Sequence, residues 1–206
     1  DLSPGVLADL RQAPVLLLHD YQAGLAAQVR RVAGDSVTLL AGPTAGSLLV
    51  PTRYAGLVEE TASLLGARHP PMGDAVAAGS AAARLRLAAL EAEMREQAAV
   101  WRDAPVIASA QQRDFCAWLG FRVVGELPRP EDLSPRQLGT LSRAGAALVI
   151  GNLQSEADAA VVLGRRLGLP TALLSNFPGA EGYGRTYADL VRQNIEQVAR
   201  AWTSRN

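Results

Sequence analysis

The sequence predicts an α/β fold: two small βα lobes of Rossmann-like type, each with a parallel sheet, bridged by one long helix. Three observations carry this prediction. After Asp103 the chain alternates strictly between apolar runs of strand length and helix-length segments, a pattern that specifies parallel strands joined by right-handed crossovers. Near the start, Val15-Leu-Leu-Leu18 is a continuous apolar run, as in strands covered on both faces. Between these regions, from Asp74 to about Arg102, there is no proline and one glycine, Gly79. There Leu87, Leu90, Met94, Ala98 and Trp101 recur at spacings of three and four and form one apolar stripe.

The elements follow in order. Ser3-Pro4 pairs a capping residue with proline at the first helical position, so a short helix is expected to about Gln12. The Val15–Leu18 strand leads to a helix over Ala23–Val32 and a second strand over Ser36–Leu40. Another helix should follow Pro51-Thr52, with Leu57, Thr61 and Leu64 on one face. The helix from Asp74, of about 27 residues, would be roughly 40 Å long, which exceeds the width of a small lobe. It is therefore placed across both lobes. A coiled-coil partner is the competing reading, and it is weakened by the brevity of the stripe. The expected division is 1–72 for the N-terminal lobe, 73–103 for the linking helix and 104–206 for the C-terminal lobe.

In the C-terminal lobe, strands are expected near 105–109, 121–125, 146–150 and 171–175. Helices should run from Gln111 to Leu119 with a stop at Gly120, from Ser134-Pro135, from Ser155, and from about Thr186 to Trp202. Ser134-x-x-Gln137 has the spacing of a capping box.

Composition narrows the function. Of 206 residues, 49% are apolar and 19% charged, enough to build a core and too apolar for disorder. Net charge is zero, all 20 basic residues are arginine, and no basic cluster occurs, which argues against a nucleic-acid or anionic-membrane surface. The single cysteine, Cys116, excludes an intramolecular disulfide and lies in an apolar run, as a core thiol does. No apolar run approaches the roughly 18–20 residues that span a bilayer. The chain opens at Asp1 without a signal peptide, consistent with a removed leader.

Few motifs carry chemistry. Gly179-Ala-Glu-Gly-Tyr-Gly184 follows the last strand instead of the first and lacks dinucleotide spacing, so it reads as a loop. No Gly-x-Ser-x-Gly elbow is present and Cys116 is expected mid-helix, so the chain is read as a non-enzyme with no resident cofactor. Of the two histidines, His19 ends the first strand, where open α/β sheets face their ligand crevice.

Pro105-Val-Ile-Ala-Ser109, Phe115 to Glu126, Ala147-Leu-Val-Ile150, Pro170-Thr-Ala-Leu-Leu174 and Tyr187-Ala-Asp-Leu-Val-Arg-Gln-Asn194 form an ordered set. With Val32-Ala-Gly-Asp35, Gly42-Pro43 and Pro51-Thr52, this set resembles the extracytoplasmic metal-binding receptors of ABC transporters, the zinc and manganese class. The resemblance spans about 14–65 and 104–202. It implies a ligand cleft between lobes, an ABC permease as partner, a small solute or metal ion as ligand, no nucleic acid, and a monomer. It also implies a periplasmic or cell-surface lipoprotein location.

Residue by residue, the family's first metal ligand falls at Ser47, its third at Ser109 and its fourth at Asn176, with Ser175 adjacent. The second falls before the long helix, where His69 is the sole candidate metal ligand. The family's histidine-rich loop is missing. Zinc and manganese sites need three or four anionic or imidazole donors, and this set supplies at most one. The expected site, lined by His19, Ser47, Ser109 and Asn176, therefore suits a non-metal or already chelated ligand, with weak zinc or manganese binding at most. Two other readings stay open: a pseudo-receptor with a structural or interaction role, and an intracellular nucleotide- or sugar-handling α/β enzyme.

Overall fold

The computed structural model describes residues 5, 8, 9, 15–19, 22–33, 38–42, 46–128, 134–180 and 182–205. The Ser3-Pro4 start, Asp35, Pro43 and the first residues of the expected second strand lie outside this set, as does the side chain of His19. Gly5, Ala8 and Asp9 are helical. The chain is α/β, with two parallel sheets and one long helix. No helix among the described residues is long and apolar enough to cross a membrane.

The chain divides into two compact units, Asp1–Leu48 with Thr52–Arg86, and Leu49–Pro51 with Leu87–Asn206. In the N-terminal unit, β1 (Val15–His19) and β2 (Thr38–Gly42) pair in parallel, from Val15 opposite Thr38 to His19 opposite Gly42. Helix α1 (Ala23–Ala33) connects them, and Leu18 and Val29 are buried. Helix α2 (Pro51–Arg68) follows, with Leu57 buried on the predicted face. Pro70 and Pro71 end it, since neither can donate to a continuing helix. They form a short 3₁₀ turn, Pro70–Met72, with His69 at its N-cap position and no side-chain capping bond.

The long helix α3 spans Gly73–Ala98, 26 unbroken residues, or about 39 Å. Residues up to Arg86 belong to the N-terminal unit and those from Leu87 to the C-terminal unit. The predicted stripe is buried in the latter: Leu87, Leu90, Met94 and Ala98, then Trp101 in a 3₁₀ turn over Ala99–Trp101. The expected helix ran on to about Arg102. Instead its last turn tightens, as helix ends often do, before Asp103 takes a left-handed φ of 60°.

The C-terminal unit holds a four-stranded parallel sheet in the order β4-β3-β5-β6. Its strands are β3 (Pro105–Ala108), β4 (Arg122–Glu126), β5 (Leu148–Asn152) and β6 (Thr171–Leu174). Both faces of the central strands are covered. Val106, Ala108, Leu148 and Ile150 pack with Met94, Phe115 and Ile195 on one side. Ile107 and Val149 pack with Leu141, Ala160 and Leu163 on the other. The period of two along each strand assigns alternate residues to opposite faces. Each fully buried side chain of this kind contributes about 1.5–3 kcal/mol relative to exposure. Cys116 is fully buried here, and desolvation pushes its thiol pKa up to about 12, so it is a core residue.

Four helices cover this sheet: α4 (Arg113–Trp118), α5 (Pro135–Ser142), α6 (Ala157–Leu167) and α7 (Tyr187–Thr203). Two begin with complete capping boxes, Ser134 with Gln137 as the spacing predicted, and Thr186 with Asp189. The other two start later than the sequence suggested, for a local reason. Before α6, Asn152 Oδ1 accepts from Gln154 N and Ser155 N, which holds the chain in an Asx turn so that α6 starts at Ala157. Before α4, Ser109 Oγ accepts from Gln111 N at 3.3 Å, and a 3₁₀ turn over Ala110–Gln112 delays the helix to Arg113.

Candidate functional site

In an open parallel sheet the carboxyl ends of the strands face the ligand crevice. In the C-terminal unit those ends present an almost wholly uncharged polar cluster. Ser109 follows β3, Asn152 ends β5, and Ser175 and Asn176 follow β6. Ser109, Gln112, Asn152, Ser175 and Asn194 are all 0–1% exposed, and they are the buried polar residues of the described chain.

Hydrogen bonds tie this cluster together. Gln112 N donates to the Ser109 carbonyl at 3.0 Å, and Gln112 Nε2 donates to Asn176 Oδ1 at 2.8 Å. The predicted positions Ser109 and Asn176 are thus joined through one intervening glutamine. Asn176 N donates to Gln154 Oε1 at 3.1 Å, and Gln154 Nε2 donates to Ser175 Oγ at 2.7 Å. Ser155 Oγ donates to Gln111 Oε1 at 2.7 Å. Behind Ser175, Asn194 of α7 exchanges two hydrogen bonds with its backbone. Ser109 Oγ donates to Glu156 Oε2, so a carboxylate sits beside the position where the family resemblance places a metal ligand.

Two buried atoms of the cluster lack partners, Gln112 Oε1 and Asn152 Nδ2. Beyond Asn176 the chain forms the glycine-rich loop, in which Gly179, Gly182 and Gly184 all have positive φ. Tyr183 anchors this loop by donating to the Leu173 carbonyl at 2.5 Å, and burial pushes its phenol pKa up. Phe177, next to Asn176, is 60% exposed.

The remaining predicted positions lie in the N-terminal unit. His19 ends β1, consistent with its placement at a strand terminus. Ser47 is half-buried in the segment leading into α2. His69 is half-buried at the joint between α2 and α3, and its Nε2 is buried without a hydrogen-bond partner. Among the described residues, no three His, Cys, Asp or Glu side chains gather where they could hold a metal ion. The C-terminal cluster offers hydroxyls, carboxamides and one carboxylate, a weak donor set for a doubly charged ion.

Sequence reasoning missed Gln112, Asn152, Glu156 and Asn194. For Asn194 a signal existed, since it interrupts the apolar face of α7 formed by Leu190, Val191, Ile195 and Val198. The others lie at a strand end (Asn152) or in the turns that follow one (Gln112, Glu156), where sequence spacing carries no distance information.

No protein-family model matches the chain, and no curated protein matches it by sequence. Solved structures do match it by fold. A metal-free mutant of a periplasmic metal binding protein from Candidatus Liberibacter asiaticus superposes with TM-score 0.79 at 10% identity, covering 98% of this chain and 86% of that one. Its Mn-bound form gives 0.77 at 10%, covering 98% and 85%. The laminin-binding adhesin Lmb from Streptococcus agalactiae gives 0.75 at 16%, covering 98% and 86%. At such identities the likeness establishes the architecture: this chain has the fold of these periplasmic metal-binding proteins and laminin-binding adhesins.

Proposed function

We propose that the chain is an extracytoplasmic solute-binding receptor of a metal-type ABC transporter whose ligand is not a bare divalent ion. The observation that carries this reading is the strand-end cluster of the C-terminal unit. At the positions where the family resemblance places metal ligands, Ser109 and Asn176 are joined through Gln112 in a network of neutral amides and hydroxyls. A zinc or manganese ion would lose its hydration shell to donors that return little of that free energy. The same cluster suits ligands recognised by hydrogen bonds. His19, Ser47 and His69 are proposed as the contribution of the N-terminal unit to ligand binding. The protein would act as a monomer in the periplasm or as a cell-surface lipoprotein, delivering its solute to a permease, and not as an enzyme.

Calorimetric titration of the full chain with Mn²⁺ and Zn²⁺ tests this directly. Weak or absent binding is expected, and a nanomolar dissociation constant for either ion would overturn the reading. A second reading, a receptor-like protein whose role is adhesion or interaction, draws on the fold likeness to laminin-binding adhesins. It predicts saturable binding to immobilised laminin, and the absence of such binding would remove it.

A further inference from the structure

We propose that Glu156 and Gln112, meeting around Ser109, recognise a small solute carrying a protonated amine. This inference rests on the receptor reading and names the ligand class of the same site. Three observations converge on it.

Charge comes first. Among the described residues Glu156 is the one charged side chain in this hydrogen-bonded cluster; Gln111, Gln112, Asn152, Gln154, Ser155, Ser175 and Asn176 are neutral, and Glu126 at the end of β4 is paired with Arg113. Glu156 is half-buried and, among the described residues, makes no ion pair. Arg113, next to Gln112, is engaged with Glu126. The N-terminus of α6 favours an acid at this position and Ser109 donates one hydrogen bond, yet neither supplies a cation. One negative charge in a partly desolvated, otherwise neutral setting matches a ligand with one positive charge.

The second observation is an unmet acceptor. Gln112 is fully buried, its Nε2 is committed to Asn176, and its Oε1 has no partner. Leaving a buried carbonyl oxygen unpaired is costly, and an incoming N–H donor would relieve that cost. The third is connectivity. Glu156 contacts the Ser109 hydroxyl, while Gln112 N donates to the Ser109 carbonyl at 3.0 Å. Gln112 therefore belongs to the turn that ends β3, and Glu156 reaches that turn from the segment between β5 and α6. An ammonium group offers several N–H donors to such a pair, and it needs no third or fourth anionic ligand, unlike a divalent ion.

Paired isosteres test the inference: ethanolamine against ethylene glycol, and glucosamine against glucose, titrated calorimetrically into the full chain with Mn²⁺ and Zn²⁺ as further arms. At least one amine should bind at least about tenfold tighter than its hydroxyl partner, the scale of a charge-assisted hydrogen bond. Glu156→Gln should abolish that preference, Glu156→Asp should retain it in part, and Gln112→Leu should weaken amine binding. Circular dichroism of each variant confirms that it folds. If the hydroxyl partner binds as tightly as the amine, or if Glu156→Gln keeps the preference, this inference fails while the receptor reading stands. If only a metal ion binds, and tightly, both the inference and the exclusion of bare ions fail. If nothing in any arm binds, the inference and the receptor reading fall together.

Discussion

Ser175 and Asn194 lock the end of β6 to α7 through two reciprocal hydrogen bonds. Ser175 N donates to Asn194 Oδ1 and Asn194 Nδ2 donates to the Ser175 carbonyl, both at 2.9 Å. Both residues are fully buried, so the carboxamide stands in for the ladder partner that the backbone loses as the strand ends. This clamp aims Ser175 and Asn176 into the strand-end cluster. Asn194→Ala leaves a buried donor and a buried acceptor unpaired and is expected to cost about 2–4 kcal/mol. Urea unfolding measures it; a loss below about 0.5 kcal/mol would mean that water replaces the clamp.

Glycines provide a contrast of sign. At Gly151, in β5, an added Cβ would collide with the Ala160 side chain of α6 and approach Leu173 Cδ2 to 3.1 Å. Gly151→Ala should destabilise by about 1–3 kcal/mol, because strand and helix must separate. A Cβ added at Gly79, inside α3, would have nothing within 4 Å, so Gly79→Ala should stabilise by about 0.5–1 kcal/mol through helix propensity. Thermal midpoints of the two variants should move in opposite directions.

The Glu93–Arg192 pair joins α3 to α7, with Nη2 to Oε2 at 2.8 Å and Nε to Oε1 at 3.0 Å. Arg192 hydrogen bonding holds the Glu93 carboxyl below its ordinary pKa, while the slight burial of Glu93 opposes this. A lowered folded-state pKa means that the stabilisation is present above the unfolded carboxylate pKa and is lost as pH falls through the folded value. Both side chains are more than 40% exposed, so solvent screening limits the pair to less than about 1 kcal/mol. A Glu93→Gln and Arg192→Met double-mutant cycle at neutral pH should read that coupling. It should shrink in 1 M salt and vanish in acid. Coupling that survives both conditions would show that packing, not charge, links the helices.

Restoring metal donors tests how the C-terminal cluster is arranged. Ser109→His with Asn176→Asp places an imidazole and a carboxylate in the same hydrogen-bonded network as Glu156. Zinc affinity should rise at least about tenfold over the unmodified chain, since each new donor adds a direct bond. A folded double variant with unchanged zinc affinity would show that these strand ends do not point to a common centre.

Much of the architecture was legible in the residues because it depends on local periodicity. The stripe from Leu87 to Trp101 needs only a 3.6-residue repeat to be recognised, and it is the buried face of α3 and its final turn. The Ser134 capping box was equally visible, since its partners are three residues apart. The starts of α4 and α6 were misplaced because Ser109 and Asn152 turn their side chains back onto the following backbone. The same residue types at a helix N-cap give a similar pattern in sequence.

The candidate site divides in the same way. Placement of Ser109 and Asn176 at strand ends followed from chain order, and the poverty of metal donors followed from the residues that stand where the family resemblance places ligands. That Gln112 joins these two residues, that Glu156 reaches Ser109, and that Asn194 secures Ser175 depended on packing. These partners are brought together by the parallel sheet order β4-β3-β5-β6, which sets residues far apart in the chain side by side at one edge. Linear spacing encodes helix faces and strand alternation, whereas the meeting of separate strand ends is decided only when the crossovers close and the core excludes water.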